Sequence, residues 1–305
     1  MGDAAEALER RAGMRRLDDH VVLSVSGEDA HGWLGGQVTN QVQTTTPGDA
    51  VYALFTNVKG KVLADAWILH VSHGDEDDLL YAIVPASARE ALLESFDKYI
   101  VMEDVDVAVR DDLAVLTVQG PDAGAVVGRV PDAAAAAWPC DRLGTGGRDV
   151  VLGRDAIDAV AEALREAGAT PAAEAAWELA RLRLAVPRFG ADFDATSYPQ
   201  EAGLSRRAVS FDKGCYVGQE VVCMLESRGK VSRRLAALEL PSGAVPTAGA
   251  PIETDGKAVG HVTTAAIDPR EQTARALGWL KATVAEVGRA VQIEGTDARI
   301  TRIID

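Results

Sequence analysis

LSVSGEDA, Leu23–Ala30, and LTVQGPDA, Leu116–Ala123, repeat one shape at an offset of 93 residues. Each reads as a strand that turns at a glycine into the start of a helix. Duplicated half-domains would explain such a repeat, and a chance match of eight residues is the other reading. Outward from the first copy, Glu28 to Gly35 reads as a short helix, and AVYALFTN (Ala50–Asn57) with KVLADAWILHV (Lys61–Val71) as a two-stranded hairpin. After an acidic tip, Gly74–Asp78, LLYAIV reads as a third strand. PASAREALLESFDKYI then opens a helix with Pro85 in its first turn, where the missing N–H costs nothing. VDVAVRDD returns to a strand and leads into the second copy. Antiparallel hairpins that share a sheet with packing helices predict an α+β fold.

Beyond the glycine cluster Gly144–Gly147, helical patterns recur in DAIDAVAEALREAG and AAEAAWELARLRLAV. An irregular run rich in Gly, Asp, Ser and Pro then extends from Pro187 to Gly214. Loops of that length in compact domains are usually functional. From Val231 the texture changes to short strands with turn signals, including an Asp255–Gly256 hairpin turn, and predicts a small β-barrel. The expected organisation is an N-terminal α+β domain over 1–140, a second over 141–230, and the barrel over 231–305.

The 305 residues are 47% hydrophobic and 25% charged, a globular balance, and no apolar run approaches a membrane span. The N-terminal MGDAAEALERRAGMRRL lacks the apolar core of a signal peptide and reads as an exposed helix of alternating charge. Cys140, Cys215 and Cys223 are odd in number and lack CxxC or zinc-type spacing. That pattern points to reduced thiols in a cytoplasm and to no structural metal. A net charge of −15 disfavours an extended nucleic-acid surface, which needs Lys and Arg to neutralise phosphates. Against that average, Ser205–Leu235 carries a net +4 from Arg206, Arg207, Lys213, Arg228, Lys230, Arg233 and Arg234. Such a run is either a solvated surface or a docking field for a small anion.

Within that segment lies FDKGCYVGQE, Phe211–Glu220. In an extended segment Lys213 and Cys215 point to the same side, and a neighbouring ammonium favours a thiolate. The other reading of Cys215 is a small buried hydrophobe beside a turn. Upstream, Glu201 in YPQEAGL is either a surface acid or a carboxylate able to accept two parallel N–H bonds from a flat heterocycle such as a pterin. Asp65 sits mid-strand among apolar residues, where alternation commits it to one face, either the solvent face usual for a strand aspartate or one that meets a ligand.

KGCYVGQE resembles the signature of the YgfZ family, folate-binding relatives of the glycine-cleavage T-protein (aminomethyltransferase) that support iron–sulfur enzymes. SGEDAHGWLGGQVTN, VYALFTNVKGKVLADA, RLRLAVPRFGADFD and YPQEAGL are similar to further elements of that family, in the family's order. The resemblance implies a T-protein-like multidomain fold, with ferredoxin-like α/β halves and a C-terminal β-barrel around a central channel for tetrahydrofolate. It implies that Glu201 meets the pterin, that Asp65 lies near the folate's reactive nitrogens, and that Tyr216 and Gln219 of the motif flank the cofactor. It implies Cys215, with Lys213, as the functional thiol, and iron–sulfur client enzymes, tRNA-modifying ones included, as partners. One departure, Pro85–Ala86 where transferases carry asparagine–alanine, bears against methylene transfer. The alternatives are a folate-dependent aminomethyltransferase or demethylase, and a non-catalytic iron–sulfur adaptor.

Overall fold

The computed structural model describes residues 2–71, 79–241 and 243–305. The acidic tip at 74–78 lies outside them. Helix α1 (Gly2–Arg10) and strands β1 (Gly13–Arg16) and β2 (His20–Ser26) lead into α2 (Ala30–Gln37), then β3 (Ala50–Thr56), β4 (Val62–Val71) and β5 (Leu79–Pro85). Helix α3 (Arg89–Tyr99), β6 (Asp106–Val109), β7 (Leu113–Gln119), α4 (Ala123–Val127) and α5 (Pro131–Ala135) follow. Next come β8 (Ala137–Trp138), β9 (Gly147–Gly153), α6 (Ile157–Glu166), β10 (Thr170–Pro171) and α7 (Glu174–Leu184). The long irregular run contains only α8 (Ser205–Ala208), and α9 (Gln219–Arg228) ends the middle of the chain. Strands β11 (Arg233–Pro241), β12 (Pro251–Thr254), β13 (Lys257–Asp268), β14 (Thr273–Lys281), β15 (Ala290–Ile293) and β16 (Thr296–Ile303) close a six-stranded barrel in the order β11-β14-β13-β12-β15-β16.

The repeated octapeptides adopt the same geometry. Gly27 and Gly120 hold φ of 115° and 116°, values open to glycine, and a Cβ on either would strike a backbone carbonyl, of Asp104 or of Arg11. Ala30 and Ala123 each donate back to the glycine carbonyl, at 3.1 and 3.0 Å, to open α2 and α4. The duplication carries a reciprocal exchange. β1 lies three residues before β2 but pairs with β7, while β6 lies three residues before β7 but pairs with β2.

The result is two five-stranded sheets, β3-β4-β5-β2-β6 and β10-β1-β7-β9-β8. The domain boundary expected at residue 140 is therefore corrected: β1, β7 and β8 precede it, yet share a sheet with β9 and β10, which follow it. The sheets face each other through Val22, Trp67, Leu69, Ile83, Val115 and Val151, while α2 and α3 cover the outer face of the first and α4–α6 that of the second. Helix α1 is not the exposed helix its charges suggest. It buries Ala5 and Leu8 against Trp177, Leu179 and Ala180 of α7.

The barrel docks on the body through Leu235, Leu277 and Trp279, packed with Leu54, Leu182 and Phe193. Two ionic ties flank that contact. Arg183 grips Asp268 with two bonds of 2.6 and 2.7 Å, and Arg181 reaches Asp192 at 2.6 Å, whose other oxygen accepts from Thr264 at 2.8 Å. Among the described residues no helix is long and apolar enough to cross a membrane.

Candidate functional site

Alternation along β4 sends Ala64, Ala66 and Ile68 into the helix-covered core and leaves Asp65, Trp67 and Leu69 facing the other sheet. Where α7 and the loop from Ala185 to Arg207 hold the sheets apart, that face opens into a hollow of about 630 Å³, counting its mouth. Its walls include Tyr52, Asp65 and Trp67 from the first sheet, Arg15 and Arg142 from the second half, Trp177 and Arg181 from α7, and Arg188, Leu204 and Arg207 from the loop.

Asp65 is the acceptor of this hollow. Its Oδ2 takes a 2.9 Å hydrogen bond from the Tyr52 hydroxyl, while Oδ1 is buried with no donor among the described residues. A buried carboxylate oxygen without a partner is costly, and an N–H of a ligand is a natural complement. Burial and the adjacent Asp65 carboxylate push the Tyr52 phenol well above its ordinary pKa, so it remains a donor. The Tyr52 and Trp67 rings pack with centroids 5.4 Å apart, tilted by 37° to each other, and give the hollow an aromatic wall.

Most of the surrounding arginines are spoken for. Arg142 meets the fully buried Asp149 of β9 with bonds of 2.6, 2.9 and 3.1 Å. Arg15 pairs with Glu174 at 2.6 Å and lies over the Trp177 ring at 5.4 Å; Arg181 and Arg188 both pair with Glu178. These guanidiniums are rigid walls, with their charge largely balanced.

The octapeptide stands elsewhere. Gly218, at φ 83°, lies directly on the β3–β4 turn, where a Cβ would strike the Asn57 carbonyl and crowd the Gly60 Cα, so only glycine seats the motif on the hairpin that bears Asp65. Cys215 is exposed on this loop, Cys223 half-buried on α9, and Cys140 buried, its thiol pKa raised by burial and by Asp149. Cys215 is not among the residues lining the hollow.

The expected pairing of Lys213 with Cys215 needs correction. Lys213 is buried, and its Nζ donates to the carbonyls of Gly35, Val38 and Asn40 at 2.6, 2.6 and 2.9 Å. An ammonium has three donors. All are used to cap the end of α2, and none is left for the thiol. Burial pushes the Lys213 pKa down to about 8, while the three carbonyls favour its charged form. Lys213→Met should therefore act on stability, costing roughly 2–3 kcal/mol through the stranded carbonyls. Chemical denaturation measures this, and a loss below about 0.5 kcal/mol, the level of an ordinary surface change, would contradict it.

Tyr216 and Gln219 also brace the loop and do not line the hollow. The Tyr216 ring is buried with its centroid 5.2 Å from the Lys213 Nζ, and the Gln219 side chain donates to the Gly214 carbonyl at 3.4 Å. Glu201 is likewise held by protein partners. Its carboxylate is buried and closed by Arg233 Nε, the Ser232 hydroxyl and the Tyr198 N–H, each at 3.2 Å, and it is not among the lining residues. It ties the loop to the first barrel strand. The sequence reading does not single out Tyr52, Arg142 or Trp177 for the site, and it names Arg207 only as one cation of the basic segment. Strand parity held a signal for the first sheet, since Asp65 and Trp67 share a face and Trp67 stands opposite Tyr52.

The fold and site can be set beside known proteins. Residues 2–142 match the family model for the T-protein (GCVT) N-terminal domain, and residues 233–302 match that for the glycine cleavage T-protein C-terminal barrel domain. The aminomethyltransferase of Thermosynechococcus vestitus is 26% identical, over 98% of this chain and 85% of its own. The tRNA-modifying protein YgfZ of Klebsiella pneumoniae is 30% identical, over 78% of this chain and 74% of its own. The crystal structure of the glycine cleavage system aminomethyltransferase T from Bartonella henselae superposes with a TM-score of 0.86, at 17% identity, covering 99% of this chain and 88% of that one. With both terminal models in register with the sheets and the barrel, and a relative at 30% identity across most of the length, the chain belongs to the YgfZ/T-protein family.

Proposed function

We propose that the protein is a tetrahydrofolate-binding factor that supports the assembly, maintenance or repair of iron–sulfur enzymes, tRNA-modifying ones included, with Cys215 as its functional thiol. The observation that carries this reading is the unpartnered Asp65 Oδ1 in the hollow between the sheets. A pterin offers adjacent N–H donors on one edge and a flat ring, and a carboxylate beside an aromatic wall is a matching receptor. Asp65 would accept from the pterin edge, Tyr52 would hold that carboxylate in place, and Trp67 and Trp177 would flank the rings. A bound reduced folate would supply a carrier for one-carbon units. Cys215, exposed and outside the hollow, suits contact with a partner protein. Support for the tRNA-linked role comes from the Klebsiella relative's name and from the KGCYVGQE motif.

The test is genetic and biochemical together. In cells lacking this chain, an iron–sulfur tRNA-modifying enzyme should lose activity, measured as modified nucleoside in total tRNA, and regain it when the chain is restored. Full modification without the chain would contradict the reading. A second reading, an aminomethyltransferase, is favoured by relatives of that name that align over nearly the whole chain. It requires methylenetetrahydrofolate to form from an aminomethyl donor, and the first reading expects none.

A further inference from the structure

Apart from the hollow, an open groove of about 1160 Å³, counting its mouth, runs between α2 and the loop that joins α3 to β6. Trp33 bridges its two sides: the indole Nε1 donates to the Tyr99 carbonyl at 3.0 Å, and the ring packs on Phe96 with centroids 5.3 Å apart. On one wall Gly32 and Gly36 leave the α2 backbone bare, and a Cβ at either would meet nothing within 4 Å. On the other stands Met102, 93% exposed, next to Val101 at 78%. Glu103 Oε2 fixes that pair by accepting from their N–H groups at 2.9 and 3.0 Å, and Asp29 Oδ2 ties the loop to the start of α2 by accepting from the Asp104 N–H at 2.9 Å. Glu28, Asp29 and Glu103 rim the groove, no Lys or Arg lines it, and no cation of the described residues pairs with the three. Gln37, the last residue of α2, lines the groove at 9% exposure, and its carboxamide makes no hydrogen bond to the described residues. Its acceptor and two donors match a peptide group.

We infer that this groove receives the client enzyme, through a surface segment that sets an apolar side chain against Met102 and Trp33, a peptide group against Gln37, and Lys or Arg against the acidic rim. The inference rests on, and deepens, the reading of this chain as a support factor for iron–sulfur enzymes. Apolar side chains grouped on a folded surface mark contact with another protein, and Met and Trp are among the types such contacts favour. Charge selects the occupant. An enzyme that acts on tRNA carries Lys and Arg to neutralise phosphates, so its surface complements the rim, whereas a nucleic acid or an acidic peptide would be repelled. Position joins the groove to the thiol. The Gly36 carbonyl accepts from the Val217 N–H at 3.1 Å and that of Gly35 from Lys213, so the loop bearing the exposed Cys215 sits against the same end of α2 that supplies Gln37. A partner with an ordinary footprint of about 800 Å² covers both.

The test is biolayer interferometry of the full chain against a purified apo iron–sulfur tRNA methylthiolase, at low and at high salt. The wild type should bind, and more weakly at high salt because the rim is exposed. Met102→Lys, Glu28→Lys and Gly32→Arg should each weaken binding about tenfold or more. All three positions are exposed, so thermal melting should show each variant folded, and modified nucleoside in total tRNA should fall with the affinity. Three folded variants that bind as the wild type does would overturn the inference, as would a wild type that shows no binding. A wild-type dimer that Gly32→Arg makes monomeric would overturn it too, by assigning the groove to a second copy of the chain. Failure of the underlying reading looks different: tRNA modification then stays complete in cells that lack the chain.

Discussion

Asp65→Ala should weaken binding of tetrahydrofolate by roughly ten- to 150-fold, the worth of a charged hydrogen bond of about 1.5–3 kcal/mol. The substitution removes the buried acceptor of the hollow together with the partner of the Tyr52 hydroxyl. Tyr52→Phe separates the two effects. It deletes the clamp on Oδ2 but keeps the carboxylate, and should cost far less affinity than Asp65→Ala. Glu201→Ala makes the contrast. Because Glu201 is held by Arg233 and Ser232 rather than facing the hollow, its loss should lower stability and leave Arg233 without its carboxylate, while the folate affinity of the folded protein persists. Isothermal titration of the four proteins reads the affinities and chemical denaturation the stability, and an Asp65→Ala variant that binds as tightly as the wild type would contradict the assignment.

The second large effect concerns the thiol. Cys215→Ala should abolish support of iron–sulfur client enzymes while leaving stability within about 0.5 kcal/mol of wild type, as expected for an exposed site. Folate affinity should stay unchanged, because the sulfur lies outside the hollow. The loop that carries it is held by Lys213 on the end of α2 and by Gly218 on the β3–β4 turn, and neither anchor depends on the thiol. Restoration of client activity by Cys215→Ala, measured as modified nucleoside in total tRNA, would remove the thiol from the account.

How far the sequence reaches can be traced through particular residues. The glycine turns at Gly27 and Gly120 are local events, and the echo around them correctly signalled two halves with one geometry. Strand parity fixed a single face for Asp65, but which side of the sheet that face met depended on the opposing sheet, whose strands come from both ends of the first half of the chain. The exchange of β1 and β6 is a choice between two pairings with the same local sequence, so no window of residues distinguishes them. Lys213 shows the limit most plainly. Two residues from Cys215, it turns away because the end of α2, far earlier in the chain, offers three carbonyls that nothing else caps. Glu201 likewise meets an arginine and a serine that arrive with the first barrel strand. Read in isolation, the carboxylate looks like a cofactor ligand and the ammonium like the neighbour of a thiolate, whereas both have long-range protein partners.

A crystal structure of the protein soaked with 5-formyltetrahydrofolate addresses the central claim most directly. The pteridine should lie between the two sheets against the Tyr52 and Trp67 wall, with an N–H within hydrogen-bond distance of Asp65 Oδ1. A pteridine seated at Glu201 or beside Cys215, with the space between the sheets filled only by solvent, would contradict it.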